Sequence, residues 1–444
     1  MEIKLFFSAV LLVFLPFLAY HAESVTVFDI SKYGAKPGGE DISPVLAKVW
    51  KEACEATNAS KVLIPKGTWY LSQIRLVGPN KAPLELEVQG TVEANPDYTK
   101  LPQKDGQWIT INYLDGFTIS GGGVFDGKGE QAWKANDCHK NPNCPKLPIV
   151  RLSIFTYITS SIYLNLISIL LIQIKLLMHA CVHVIMISQN LSLNFIKNAI
   201  IKDVTTKDSK NFHCNCISSQ NVTFQRFTIS APGESINTDG IHIARVSNVK
   251  VLDSNIGTGD DCISIGDETT DLHIENVKCG PGHGISVGSM GKNPAEKDVT
   301  GITVKKCTFT GTSNGVRVKT WPSAPATLKI SNLHFEDLTM NNVSYPVVID
   351  QQYCPWNLCT KDKPSLIQIS GLTVKNVRGT ANTKEALLFS CSSSKPCQNV
   401  QISDIDLKYV NSIPANFTTV CENVKPTVSG KQIPPICPTP VQAS

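Results

Sequence analysis

Short runs of alternating apolar and polar residues, each opened by Asn, Asp or Gly, return along this chain at intervals of 27, 23 and 30 residues. They read Asn221-Val222-Thr223-Phe224, Asn248-Val249-Lys250-Val251, Asp271-Leu272-His273-Ile274 and Gly301-Ile302-Thr303-Val304. Further runs follow at Leu328 to Ser331, Ile367 to Ser370 and Val400 to Ser403. Alternation over four residues, bounded by turn formers, marks a short strand with one buried side. No long helical period lies between the runs. Strands repeating at this period predict an all-β chain folded as a right-handed parallel β-helix, a single-stranded solenoid of about ten coils filled by stacked Val, Ile and Leu. A β-propeller or a pair of sandwiches is the competing architecture. Pro44 to Thr57 has an amphipathic helical pattern, and such a helix can cap the open N-terminal end, where bare strand edges invite aggregation.

The first residues read as a secretory signal over 1–24. Lys4 precedes an apolar run from Leu5 to Tyr20, and Ala22-Glu23-Ser24 fits a small-x-small cleavage site between Ala19 and Ser24. The run is too short and wrongly flanked for a membrane anchor. Fifteen cysteines suit the oxidising compartment that export implies, and their odd number calls for a free thiol or an error in the sequence. Cys262 and Cys279, on adjacent coils, are candidates for a bridge, as are Cys354 with Cys359 and Cys391 with Cys397. Connectivity itself is not fixed by sequence. Asn58, Asn221, Asn342 and Asn416 each open an Asn-x-Ser/Thr sequon. A net charge of +4 excludes a nucleic-acid binder by bulk charge and is compatible with an acidic polymer as partner.

Residues 150–189 differ from everything around them. These 40 residues contain no Gly, Pro, Asp, Glu or Trp, and 26 of them are apolar. The stretch most like a membrane span, Ile162 to Met178, is broken by Asn165, Ser168, Gln173 and Lys175, so no membrane span is expected. The segment reads as translated intron, with a genuine inserted loop as the alternative. Val150-Arg151 can be encoded by GTAAGN and Gln189 by CAG, the two ends of such a splice, and its removal leaves an even 14 cysteines. On this reading residues 25–444 are one β-helical catalytic domain interrupted at 150–189.

Four polar tracts carry the chemistry: Asn237-Thr238-Asp239-Gly240, Gly259-Asp260-Asp261-Cys262, Gly282-His283-Gly284 and Arg317-Val318-Lys319. Asp239 precedes Asp260 by 21 residues, Asp261 precedes His283 by 22, and His283 precedes Arg317 by 34. These gaps are near one coil, so the tracts can stack on one face. Carboxyls in close company push their pKa values apart, which lets one serve as acid while another stays ionised. That is the equipment for glycosidic cleavage. Arg317 and Lys319 alternate around Val318 and project to one face, where a guanidinium fork and an ammonium suit a sugar that carries its own carboxylate.

The four tracts, in this order, resemble those of the polygalacturonases, the pectin-hydrolysing glycosidases of family 28, and the context looks most like the plant exo-acting enzymes. The resemblance runs from about Val25 to the C-terminus. It implies hydrolysis of α-1,4-galacturonosidic bonds with inversion, without metal or other cofactor, by a secreted cell-wall protein expected to be a monomer. It makes Asp260 the general acid, Asp239 and Asp261 the water-activating bases, and His283 a neighbour that holds the acid in place. Arg317 and Lys319 grip the galacturonate, Tyr353 contacts substrate, and Asn237 orients the acidic cluster or touches substrate. His213 and His242 lack such a context and read as structural. The alternatives are endo-acting cleavage, a Ca²⁺-dependent pectate lyase using the acidic cluster as an ion site, and a non-catalytic wall-binding β-helix.

Overall fold

Asn, Asp and Gly open the runs because of the corners of the coil. Asn221, Asn248, Asp271, Asn332 and Asn399 have φ between 52° and 57°, and Gly301 and Gly371 take the equivalent places. This left-handed region is one that Asn and Asp tolerate through local hydrogen bonding and Gly through its missing Cβ. Outside the corner the amides form a ladder: Asn221 Nδ2 donates to Asn198 Oδ1 at 2.7 Å, and Asn248 Nδ2 to Asn221 Oδ1 at 3.1 Å. Inside it, Val222, Val249, Leu272, Ile302, Leu333, Leu372 and Val400 stack in parallel register. None is more than 2% exposed, and burying each such side chain is worth ~1.5–3 kcal/mol.

The computed structural model describes residues 25–100, 107–136, 189–355, 359–410 and 417–437. Within them the strands form a 21-stranded array and an 11-stranded sheet, and every paired register is parallel. The chain winds as a right-handed parallel β-helix, the hand that connections between parallel strands take. The expected capping helix spans Ser43–Glu55 and buries Leu46, Val49, Trp50, Ala53 and Cys54 against the strands Ser60–Ile64 and Ile74–Val77. A second, short helix at Glu130–Ala135 was not expected from sequence.

Two of the later runs are displaced from the repeat. Leu333 and Leu372 continue the interior stack of Ile302, each five residues beyond the starts of the runs at Leu328 and Ile367. Strands Lys329–Val343 and Gln368–Ala381 pass through the corner without a break, so each offers two apolar alternations instead of one. Cys262–Cys279, Cys354–Cys359 and Cys391–Cys397 are bridged as expected, and among the described residues Cys421–Cys437 adds a fourth bridge. Cys54, Cys214, Cys216 and Cys307 are buried free thiols, so an even cysteine total carries no weight in judging the segment 150–189. Asn58, Asn221 and Asn342 are exposed.

Residues 1–24, 150–188 and Asn416 lie outside the described residues. Gln189 does not: it begins the strand Gln189–Asn194, pairs with Gln107, and accepts a hydrogen bond from Asn215 Nδ2. The C-terminal limit read for the apolar segment, Gln189, thus falls on a strand. No described helix is long and apolar enough to cross a membrane.

Candidate active site

The tracts meet because consecutive strands of the 11-stranded sheet carry them. Asp239 lies just ahead of Ile241–Ala244, Asp260 and Asp261 ahead of Ile263–Ile265, and His283 ahead of Ile285–Met290. Arg317 and Lys319 lie on Asn314–Thr320. Ile241 pairs with Ile263, Ile263 with Ile285, and Ile285 with Val316, so the four segments are neighbours along the axis. With a strand spacing of ~4.8 Å, the cluster spans roughly 14 Å.

Asp261, 2% exposed, is the hub. Its Oδ1 accepts from Ser286 Oγ at 2.8 Å and Arg317 Nη2 at 2.9 Å, and its Oδ2 accepts from Lys319 Nζ at 2.8 Å. Burial raises its pKa, but the charges of Lys319 and Arg317 and the hydrogen bonds from Lys319 and Ser286 outweigh burial and bring it down to about 2. Asp239 is driven the other way. Burial first, then the charges of Asp260 and Asp261, push its carboxyl well above the usual range, and a hydrogen bond with Ser264 offsets only part of this. Asp239 is thus pushed toward its protonated form while Asp261 is held ionised.

Asp260 is the more accessible acid. His283 Nδ1 lies 3.0 Å from its Oδ1, Asn237 Nδ2 donates to its Oδ2 at 3.3 Å, and the Asp261 amide donates to Oδ1 at 2.8 Å. The glycines beside His283 serve the coil more than a ligand. A Cβ at Gly282 would lie 2.7 Å from Asp260 O and one at Gly284 2.2 Å from Asn314 O, and their φ values are +142° and +87°. No other residue lets the backbone pass so near both adjacent coils while presenting His283 outward.

Tyr353 sits over the cation pair, its ring centroid 5.9 Å from Arg317 Cζ and 5.4 Å from Lys319 Nζ. Trp321 braces it edge-on at 5.2 Å. Asn237 is itself held by Asn136, whose Nδ2 donates to Asn237 Oδ1 at 3.4 Å. Every residue expected at the site from sequence thus lies within one contiguous cluster.

His242 also belongs there, against expectation. It shares the outward line of the sheet with Ser264, Ser286 and Arg317, and its Nδ1 lies 2.9 Å from Ser264 Oγ. Burial, then the charge of Arg245, lowers its pKa to about 4, so it is neutral at ordinary pH. Through Ser264 it supports Asp239. The signal was present in Ile241-His242-Ile243, whose two inward isoleucines turn the imidazole to the face that carries Arg317. His213 is structural, fully buried against Thr206 Oγ1 at 2.6 Å.

Donor atoms of Asp260, Asp261 and His283 lie within 4.8 Å of one another, a spacing that a cation could bridge. The donor set fits one poorly. Arg317 and Lys319 already occupy both oxygens of Asp261, and a dication would have to displace them against their own charge.

The family model described as glycosyl hydrolases family 28 matches residues 54–186 and 186–431. A polygalacturonase of Nicotiana tabacum is 46% identical over 439 residues, covering 98% of this chain and 98% of its own. An exopolygalacturonase of Oenothera organensis is 47% identical over 399 residues, covering 89% of this chain and 98% of its own. A hyperthermoactive exopolygalacturonase from Thermotoga maritima is similar in fold, with a TM-score of 0.69 at 18% identity over 92% of each chain. With the matched stretches taking in all four tracts of the cluster, this chain belongs to glycosyl hydrolases family 28.

Proposed function

We propose that this protein hydrolyses α-1,4-galacturonosidic bonds of pectin from the chain end, releasing galacturonate, by acid/base catalysis that inverts the anomeric centre. The observation that carries this reading is the Asp239–Asp260–Asp261 cluster, with one carboxyl clamped ionised by two cations and another driven toward its protonated form. Asp260, half-buried beside His283, gives its proton to the leaving glycosidic oxygen. Asp239 and Asp261 flank the attacking water. The ionised Asp261 carboxylate takes the proton that the water gives up as it bonds to the anomeric carbon, and that proton returns to Asp260 to reset the acid. Arg317 and Lys319 face the galacturonate carboxylate, and Tyr353 packs against its ring. The high identity to a relative named exopolygalacturonase supports terminal attack. We also read residues 1–24 as the export signal of a monomeric cell-wall enzyme.

Asp260 and Asp261 oxygens lie within 4.8 Å of each other, closer than the ~6.5–9.5 Å usual for an inverting pair, and on our reading the water lies beside the two carboxyls instead of between them. The anomer formed first from an α-linked oligogalacturonate, followed by NMR before mutarotation, tests this. β-Galacturonate means inversion, whereas α-galacturonate would make one carboxylate a nucleophile. Chromatography of products from polygalacturonate in chelator tests the rest. Saturated monomer is expected, a ladder would mean internal attack, and an unsaturated product appearing only with calcium would mean elimination.

A further inference from the structure

C-terminal to the cation pair the floor of the site changes character. The outward line through His242, Ser264, Ser286 and Arg317 continues as Val348, Leu388 and Val420. The neighbouring line through Lys319 continues as Asp350, Ser390 and Glu422. For three coils, roughly 14 Å of floor, an apolar ledge runs beside an acidic one, and strands Tyr345–Asp350, Glu385–Ser390 and Thr418–Glu422 carry no Lys or Arg. Arg317, Tyr353, Val348, Asp350 and Leu388 line one cleft, so this floor is continuous with the cluster.

The acids are fixed in place. Glu422 Oε2 accepts from Ser390 Oγ at 2.6 Å and Gln352 Nε2 at 3.3 Å, and Asp350 Oδ1 accepts from the Gln352 amide at 2.8 Å. Burial pushes the Asp350 carboxyl up and Glu422 adds to it, while the Gln352 amide, Arg317 and Lys361 offset part of the rise. The three strands themselves present acids and no cation. A galacturonate carboxylate in this cleft would meet Asp350 on its wall and Glu422 two strands on, while Arg317 and Lys319, held by Asp261, face the sugar at the cleavage site. A methyl ester removes the sugar's charge and offers a methyl group to Val348 and Leu388.

We propose that the sugar bound C-terminal to the cation pair is a methyl-esterified galacturonate, so that the enzyme works where free and esterified stretches of the polymer adjoin. This rests on the polygalacturonase reading above. The test compares trigalacturonates carrying a single methyl ester at each position in turn with the unesterified trimer, by kcat/KM of product release. One esterified isomer is expected to exceed the free trimer about tenfold, or ~1.4 kcal/mol, and added salt should narrow the gap by screening the repulsion. In Asp350→Asn/Glu422→Gln the ratio of free-trimer to best-isomer rates should rise about tenfold. Equal rates on all trimers, a preference for the free trimer, or an unchanged ratio in the double variant would overturn the inference while leaving the hydrolase reading intact. Release from none of them would overturn the hydrolase reading itself. The wild-type salt series decides the matter even if the double variant misfolds.

Discussion

Asp239 and Asp261 are both buried carboxyls on adjacent coils, and their neighbours drive them in opposite directions. Asp261, lowered to about 2, contributes stability above the unfolded pKa, and that contribution is lost as pH falls toward 2. Asp239, raised well above its ordinary value, has the reverse sign: the folded state holds a proton that the unfolded chain has released, so stability declines as pH rises past the unfolded value. Asp239→Asn removes this penalty. We expect its Tm at pH 7 to rise by about 2–4 °C and its stability to lose the decline above pH 4, while turnover collapses. Calorimetry across pH checks this, and a lower Tm at pH 7 would mean that Asp239 is ionised in the folded protein. Asp260→Asn has a different expected signature, because a general acid acts in the transition state. Its kcat should fall about 10²–10⁴-fold with KM changed little. A loss carried by KM would make Asp260 a binding residue.

At the level of the strand and its corner, Gly284 gives the sharpest case. A Cβ there would lie 2.2 Å from Asn314 O and 2.3 Å from Gly315 O, both backbone atoms of the next coil, at a φ of +87°. Gly284→Ala should therefore cost about 2–4 kcal/mol in urea unfolding and displace His283 from Asp260, lowering kcat more than a distant variant of equal stability does. The same geometry explains what the sequence disclosed. Asn221, Asn248, Asp271 and Gly301 announced the repeat because a left-handed corner admits few residue types, and Asp239, Asp260, Asp261, His283, Arg317 and Lys319 were legible because one coil separates them. Leu328 and Ile367 misled because long strands carry apolar alternation on both sides of the corner. His242 was passed over because its neighbours in sequence are apolar and its polar partners, Ser264 and Asp261, come from the next coil. Cys421–Cys437 joins a strand to the segment beyond Ile433, where no repeat period guides a pairing.

A β-helix grows along one axis, so the length of each coil tests what belongs to it. On the 11-stranded sheet, paired residues lie 23 apart at Leu191 and Cys214, 27 at Cys214 and Ile241, and 22 at Ile241 and Ile263. The longest later step, Val347 to Leu387, is 40 residues. The step from Ile109 to Leu191 is 82, and removing residues 150–188 reduces it to 43, close to the longest of the others. The family model also breaks at residue 186, inside this segment. Loop entropy does not forbid the extra length, since doubling a loop costs only ~0.6 kcal/mol. Its composition is the larger burden: 26 apolar residues in the 40 of 150–189, with no Gly, Pro or acidic residue to break them, form a segment prone to association. Deletion of Val150–Ser188, keeping Gln189 in its strand, should therefore raise the yield of soluble secreted protein several-fold and leave a hydrolase whose kcat depends on Asp260. Removing Gln189 as well should lower the Tm, because Asn215 then loses the acceptor it is buried against. Size-exclusion chromatography and calorimetry of the full chain and the two deletions distinguish these outcomes, and a full chain that is soluble while both deletions aggregate would make residues 150–188 part of the fold.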